Sequence, residues 1–174
     1  MYKYFNPVPA TLDDLKKAYR RLAMLHHPDH GGSLETMKAI NNENDAIFEV
    51  LKSEHNARAD ADTTGKTKRT TETAEEFRDI LDVLLKLDGL TVELCGCWLW
   101  ISGDTRTHKD ELKAAGCRWS SGKKMWYWRH PEDGGAYHKN GKKYSINDIR
   151  SRYGSQVFDG SGETTGYSRI GATA

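Results

Sequence analysis

The run His26-His27-Pro28-Asp29-His30-Gly31-Gly32 leaves this chain few ways to fold around it. Pro28 has no amide hydrogen and restricts the residue before it, so a helix arriving from upstream must end near His27. The glycine pair then lets the backbone reverse without steric cost. Amphipathic patterns flank the run on both sides, Thr11 to Leu25 before it and Ser33 to Lys52 after it. The expected product is a helical hairpin with a polar His-Pro-Asp tip, His27 standing exposed at the turn and contributing little packing.

Thr11 is a good N-cap, and Asp14 completes a capping box. At 100° per residue, Leu15, Ala18, Tyr19, Leu22 and Leu25 fall on one side of the first helix. Lys16, Lys17, Arg20 and Arg21 fall on the other. A basic face is usually only a solvated one. Here four like charges crowd a short face, where repulsion costs a few tenths of a kcal/mol per i,i+4 pair; a face that tolerates this suits an acidic partner. Ser33 caps the second helix, whose stripe is Met37, Ile40, Ile47, Phe48 and Leu51. Asn44 interrupts it and needs a partner, because an unpaired buried amide costs about 1–3 kcal/mol.

The segment Leu15-Lys16-Lys17-Ala18-Tyr19-Arg20-Arg21-Leu22-Ala23, then His27-Pro28-Asp29, then Met37, Ile40 and Asn41, resembles the J domain of DnaJ-type co-chaperones. The resemblance covers about the first third of the chain. It implies docking on a DnaK-type (heat-shock-seventy) ATPase through Lys16, Lys17, Tyr19, Arg20 and Arg21. It also implies that the tip His27, Pro28 and Asp29 stimulates ATP hydrolysis there, so the protein is an activator and no enzyme. The family's fuller first helix, basic fourth helix, Gly/Phe-rich segment and zinc-bound Cys repeats are not visible. The His-Pro-Asp-x-Gly-Gly run followed by a Met-Lys helix is similar to that of polyomavirus T antigens; short phage-type J proteins are another fit.

At 174 residues the chain has room for one ordinary domain or two small ones. With 37% hydrophobic and 29% charged residues it cannot build a very large core, and no apolar run approaches a membrane span. Three cysteines, an odd and sparse count, suit a reducing compartment. The expected location is the cytoplasm, or a host's cytoplasm. The net charge of +1 hides an asymmetry: residues 53–97 carry 6 Lys+Arg against 10 Asp+Glu, and residues 98–153 carry 12 against 6. The basic, aromatic later part therefore needs its own account.

The expected architecture is α+β. A helical-hairpin J domain (1–53) is followed by a flexible linker (54–73), a small β-β-α-β-β domain (74–154) and a disordered tail (155–174). Residues 59–71 are polar and aperiodic, which is the basis for the linker. Thr73 caps a helix with Phe77, Ile80, Leu81, Leu84 and Leu87 on one stripe and Gly89 as its stop. Leu90 to Cys95 and Cys97 to Ser102 read as strands reversing at Gly96. Thr107 opens a capped helix that closes at Gly116. Residues 117–120 and 125–129 form a second hairpin, and Ser145 caps a last helix to Tyr153.

Other constellations are weaker. His26, His27 and His30 straddle a proline and lack supporting ligands, so no metal is expected there. Cys95-Gly96-Cys97 with Cys117, and His108 or His130 as a fourth ligand, has tighter spacing than zinc sites use; small buried residues in a sheet are the better reading. No cofactor is expected. The tryptophans divide two ways. Trp98 and Trp100 share a strand face, as do Trp126 and Trp128, with Leu99, Ile101 and Tyr127 on the opposite faces. They either fill a small core or form an exposed platform with Trp119, edged by Arg118, Lys123, Lys124 and Arg129. Such a platform would hold a client peptide or single-stranded nucleic acid and so select the target. The rival to the co-chaperone reading is a nucleic-acid-binding or replication protein that uses the J domain to recruit a host chaperone.

Overall fold

The computed structural model describes residues 2–133, 144–158 and 164–167. The chain is α+β and divides into two units, Met1–Asp79 and Ile80–Ala174. The division falls inside helix α3 (Glu76–Leu85).

In the first unit α1 (Leu12–His26) packs on α2 (Leu34–Ala61). Thr11 and Ser33 cap their helices as expected, but the reciprocal bond of an Asp14 capping box, from the Thr11 amide, is not made. Thr11 Oγ1 accepts from the Asp14 amide at 3.2 Å and donates to its carboxylate at 2.7 Å. Ser33 Oγ accepts from the Thr36 amide. The buried face of α1 is rotated from the expected stripe. It consists of Leu12, Leu15, Tyr19, Ala23 and Met24 together with Lys16 and Arg20, while Leu25 is exposed. Helix α2 buries Met37, Ile40, Ile47 and Phe48, with Asn44 among them. Asn44 Nδ2 donates to Asp45 Oδ1 at 3.3 Å, so the amide has its partner.

Residues 54–73 do not form the flexible linker that their polarity suggests. Helix α2 continues to Ala61, and the chain then turns at Asp62, whose carboxylate accepts from the Thr64 and Thr67 amides. The segment after the turn is fastened back onto α2 by side-chain-to-backbone bonds. Asn56 Oδ1 accepts from the Thr70 amide at 2.9 Å, His55 Nε2 meets the Lys68 carbonyl at 2.9 Å, and Lys52 Nζ donates to the Glu72 carbonyl at 2.8 Å. Polar composition gave the wrong impression because this closure uses hydrogen bonds in place of apolar burial.

In the second unit β1 (Leu90–Cys95), β2 (Trp98–Gly103), α4 (Lys109–Ala114), β3 (Arg118–Ser120) and β4 (Met125–Trp128) follow in the expected β-β-α-β-β order. After α5 (Ile146–Tyr153) come β5 (Ser155–Phe158) and β6 (Thr164–Tyr167). The sheet has six strands in the order β3-β4-β2-β1-β5-β6, all antiparallel. Cys95 pairs with Trp98, so Gly96-Cys97 is a two-residue hairpin loop, and Gly96 has the positive φ of 63° such a loop needs. The tail expected to be disordered supplies β5 and β6; residues 159–163 and 168–174 lie outside the described residues. Helix α5 has the full Ser145/Asp148 capping box. Helix α4 does not have the one expected of Thr107, because the Thr107 hydroxyl bonds backward to Asp104.

Register decides what each sheet face carries. Trp100 lies opposite Tyr127, and Leu99 opposite Trp128. Directly paired residues point to the same side. Tyr127 therefore joins Trp98 and Trp100, and Trp126 and Trp128 join Leu99 and Ile101, which corrects the grouping drawn from single strands. The second face is core: Val92, Leu99 and Ile101 are buried, as are Leu81, Leu84 and Leu112 of the helices. Trp100 is only 2% exposed. Trp100→Ala is expected to cost about 3–5 kcal/mol through the cavity it leaves, read as a lowered urea midpoint of the full chain.

Candidate functional site

The tip is built by local chemistry. Pro28 starts a short 3-10 turn, Pro28–His30, and His27 caps it with its own side chain, Nδ1 accepting from the Asp29 amide at 3.2 Å. The Gly31 amide donates to the Pro28 carbonyl at 3.1 Å and the Gly32 amide to the His27 carbonyl at 3.0 Å. Gly31 sits at φ +79°. Gly32 lies so close to the preceding helix end that an added Cβ would fall 2.1 Å from the His26 carbonyl oxygen. Both glycines are thus required, one for its backbone angle and one for its bareness. His27 is buried, against the expectation of an exposed ring. Asp29 stands out from this frame with its side chain 41% exposed, 3.8 Å from His27 Nδ1. The same chemistry recurs in the second unit, where His130 Nδ1 accepts from the Glu132 amide ahead of the turn Pro131–Asp133.

Of the three histidines weighed as a metal cluster, His27 is committed to its cap, Tyr4 sets its ring edge-on to His26 at 6.2 Å, and the His30 side chain lies outside the described residues.

The basic face of α1 is not one surface. Lys17 and Arg21 are exposed. Lys16 and Arg20 are buried and share a carboxylate, Glu72, which lies 2.6 Å from Lys16 Nζ and 3.4 Å from Arg20 Nη2. The Arg20 guanidinium also lies over Phe77, 5.1 Å from the ring centre. Tyr19 is buried, its hydroxyl donating to Asn41 Oδ1 at 3.0 Å and its ring edge-on to Phe77. Lys16, Tyr19 and Arg20 are thus packing residues, and among the predicted docking residues Lys17, Arg21 and Asp29 are the exposed ones. Sequence reading missed Glu72, because a single acid in a polar run gives no signal. It also missed Glu43. The Glu43 carboxylate accepts from the backbone amides of Lys3, Tyr4 and Phe5 at 2.7, 2.8 and 3.4 Å, which anchors the N-terminal segment and seats Phe5 in the core.

On the sheet, Trp100 and Trp126 are buried and Trp98, Tyr127 and Trp128 half-buried, while Trp119 on the edge strand is 50% exposed. Arg118 and Lys124 are exposed; Lys123 and Arg129 lie partly covered over the rings of Trp100 and Trp98. Residues 134–143, also within the basic segment, lie outside the described residues. The three cysteines are free. Burial pushes the Cys95 thiol up to about 12, aided by Glu93 beside it, and burial alone does the same to Cys117. Thiols held so firmly protonated are poor nucleophiles.

Fold and site together define a two-unit α+β chain headed by a helical hairpin with a rigid acidic tip. Among curated proteins, 54 residues of this chain are 44% identical to the small t antigen of budgerigar fledgling disease virus. The large T antigen of the same virus matches over 54 residues at the same identity. The match takes in 31% of this chain, but only 34% of the small t antigen and 8% of the large T antigen. The chain thus shares a homologous segment with the T antigens of this virus. No family model matches the chain, and no solved structure does.

Two outcomes follow for the first unit. Glu72→Ala removes the carboxylate that two buried cations share and is expected to cost about 3–5 kcal/mol, checked by chemical denaturation. Glu43 titrates in the opposite sense to a buried acid. Its desolvation would raise the pKa, but the three backbone amides outweigh it and hold the carboxyl below its ordinary value. A lowered folded pKa gives stability that is present above the unfolded value and is lost as pH falls through the folded one. Melting temperatures taken from about pH 7 to about pH 3 should show a steeper acid fall in the wild type than in Glu43→Gln.

Proposed function

We propose that the first unit is a J-type docking module that engages a DnaK-type ATPase and stimulates its hydrolysis, while the second unit selects the target. The observation that carries this is the tip. Asp29 presents a carboxylate on a turn fixed by a proline, a histidine cap and two obligatory glycines. Such a group can take a charge-assisted bond from a partner arginine with little ordering cost. The similarity to viral T antigens supports the reading. Lys17 and Arg21 add salt-sensitive steering toward an acidic surface. These contacts activate only if they favour the hydrolysis-competent state of the chaperone. In this reading the protein has no active site of its own and works in the cytosol of a host cell. No helix among the described residues is long and apolar enough to cross a membrane.

The test is the ATPase rate of a DnaK-type chaperone with the full chain. Asp29→Asn is expected to weaken productive docking roughly tenfold or more, the loss of one charged hydrogen bond, with an unchanged melting temperature. Lys17→Glu with Arg21→Glu should weaken docking more at low salt than at high salt. His27→Ala is a poorer probe because it also removes the cap. Full stimulation by the folded Asp29→Asn protein would overturn the assignment.

A further inference from the structure

We propose that the ring-and-cation face of β2, β4 and β3 binds single-stranded nucleic acid. The inference concerns the second unit and does not depend on the docking role of the first.

Register places Trp98, Trp100, Tyr127 and Arg118 on one side of the sheet, since Trp100 and Arg118 both pair with Tyr127. The three rings form a triangular cluster. Trp98 and Tyr127 have centroids 5.4 Å apart at 21°, Trp98 and Trp100 5.8 Å at 21°, and Trp100 and Tyr127 5.5 Å at 42°. Two cations lie on this cluster: the Arg129 guanidinium is 5.1 Å from the Trp98 ring and the Lys123 ammonium 5.2 Å from the Trp100 ring. Arg118 stands exposed on the same side, and Lys124 is exposed in the turn between β3 and β4.

None of Arg118, Lys123, Lys124 and Arg129 makes an ion pair with a carboxylate of the described residues. The acid that β1 contributes to the same face, Glu93, is taken by Arg150, with Nε–Oε1 at 2.6 Å and Nη2–Oε2 at 2.7 Å. Two donors there, Trp100 Nε1 and Arg129 Nη1, are buried without an acceptor among the described residues. Lys124 has a φ of 53°, a left-handed conformation that glycine adopts freely and lysine does not. The hairpin thus carries a cation where stability alone would favour glycine.

These features fit a ligand with anionic groups along a backbone and flat faces to stack, and a single strand offers both. A duplex hides its base faces. An extended peptide adding to the sheet would pair with β3, which at three residues offers few backbone bonds.

The test uses the full chain and fluorescently labelled oligo(dT), oligo(U) and duplex DNA in anisotropy titrations over a range of salt. Expected is single-strand binding that beats duplex binding. Its log–log salt slope should be about −2 to −3, for three or four phosphate contacts at roughly −0.7 each. Arg118→Ala with Lys123→Ala should flatten that slope by about 1.4. Trp98→Ala should weaken binding roughly 5- to 150-fold, the loss of one stacked base. Lys124→Gly gives the sharpest sign: the melting temperature should rise while affinity falls, a combination that a purely structural loop would not give. Lys109→Ala with Lys113→Ala on α4, exposed cations off this face, should leave the slope and the affinity preference intact. No binding at low salt, equal binding to duplex, a slope indifferent to Arg118 and Lys123, or binding of extended peptides alone would each overturn the proposal.

Discussion

A single carboxylate closes the first unit. Glu72 sits between Lys16 and Arg20, and all three side chains are almost wholly buried. Taking three charges from water is costly, so such a cluster persists only where geometry and extra bonds compensate. Here they do. The Glu72 carbonyl is held by Lys52, its amide by Thr70 Oγ1, and Arg20 has Phe77 against its face. The consequence reaches the whole hairpin. With Lys16 and Arg20 turned inward, α1 presents Lys17 and Arg21 to solvent and leaves Leu25 outside. The exposed basic surface of α1 is therefore narrower than the count of its basic residues implies.

The second unit rests on a different constraint, the pairing of β2 with β4. Because directly opposite residues share a face, a shift of one residue would send Tyr127 into the core and Trp126 out of it. The observed register gives a core face of aliphatics and tryptophans and a second face of clustered rings, whose cations pair with no carboxylate of the described residues. The Glu93–Arg150 clip fastens α5 to β1 on that second face and holds the Glu93 carboxyl below its ordinary value despite its burial. It also removes the one acid that β1 would otherwise present to the cations.

Much of the fold was legible because it is local. Pro28 with Gly31 and Gly32 makes the turn whatever surrounds it, and His27 and His130 cap their turns in the same way at two unrelated places. Caps at Thr11, Ser33 and Ser145 need only their own first turn. The β-β-α-β-β order could be read from apolar runs and glycines. The failures were of another kind. Strand β5 and the fastened segment 62–73 carry no strong apolar period, since one is held by ladder bonds to β1 and the other by side-chain-to-backbone bonds to α2.

What the sequence alone determined, then, is the tip: a rigid turn ending a basic helix, with Asp29 at its apex, because proline and glycine act on their immediate neighbours. It also determined that the later segment is basic and rich in rings. Only the tertiary structure decided which of those groups are free. Glu72 lies more than fifty residues from Lys16 and Arg20 along the chain, and Tyr127 faces Trp100 from another strand. Charge pairing and register join residues by position in space, and no pattern within a single helix or strand records which distant partner will arrive.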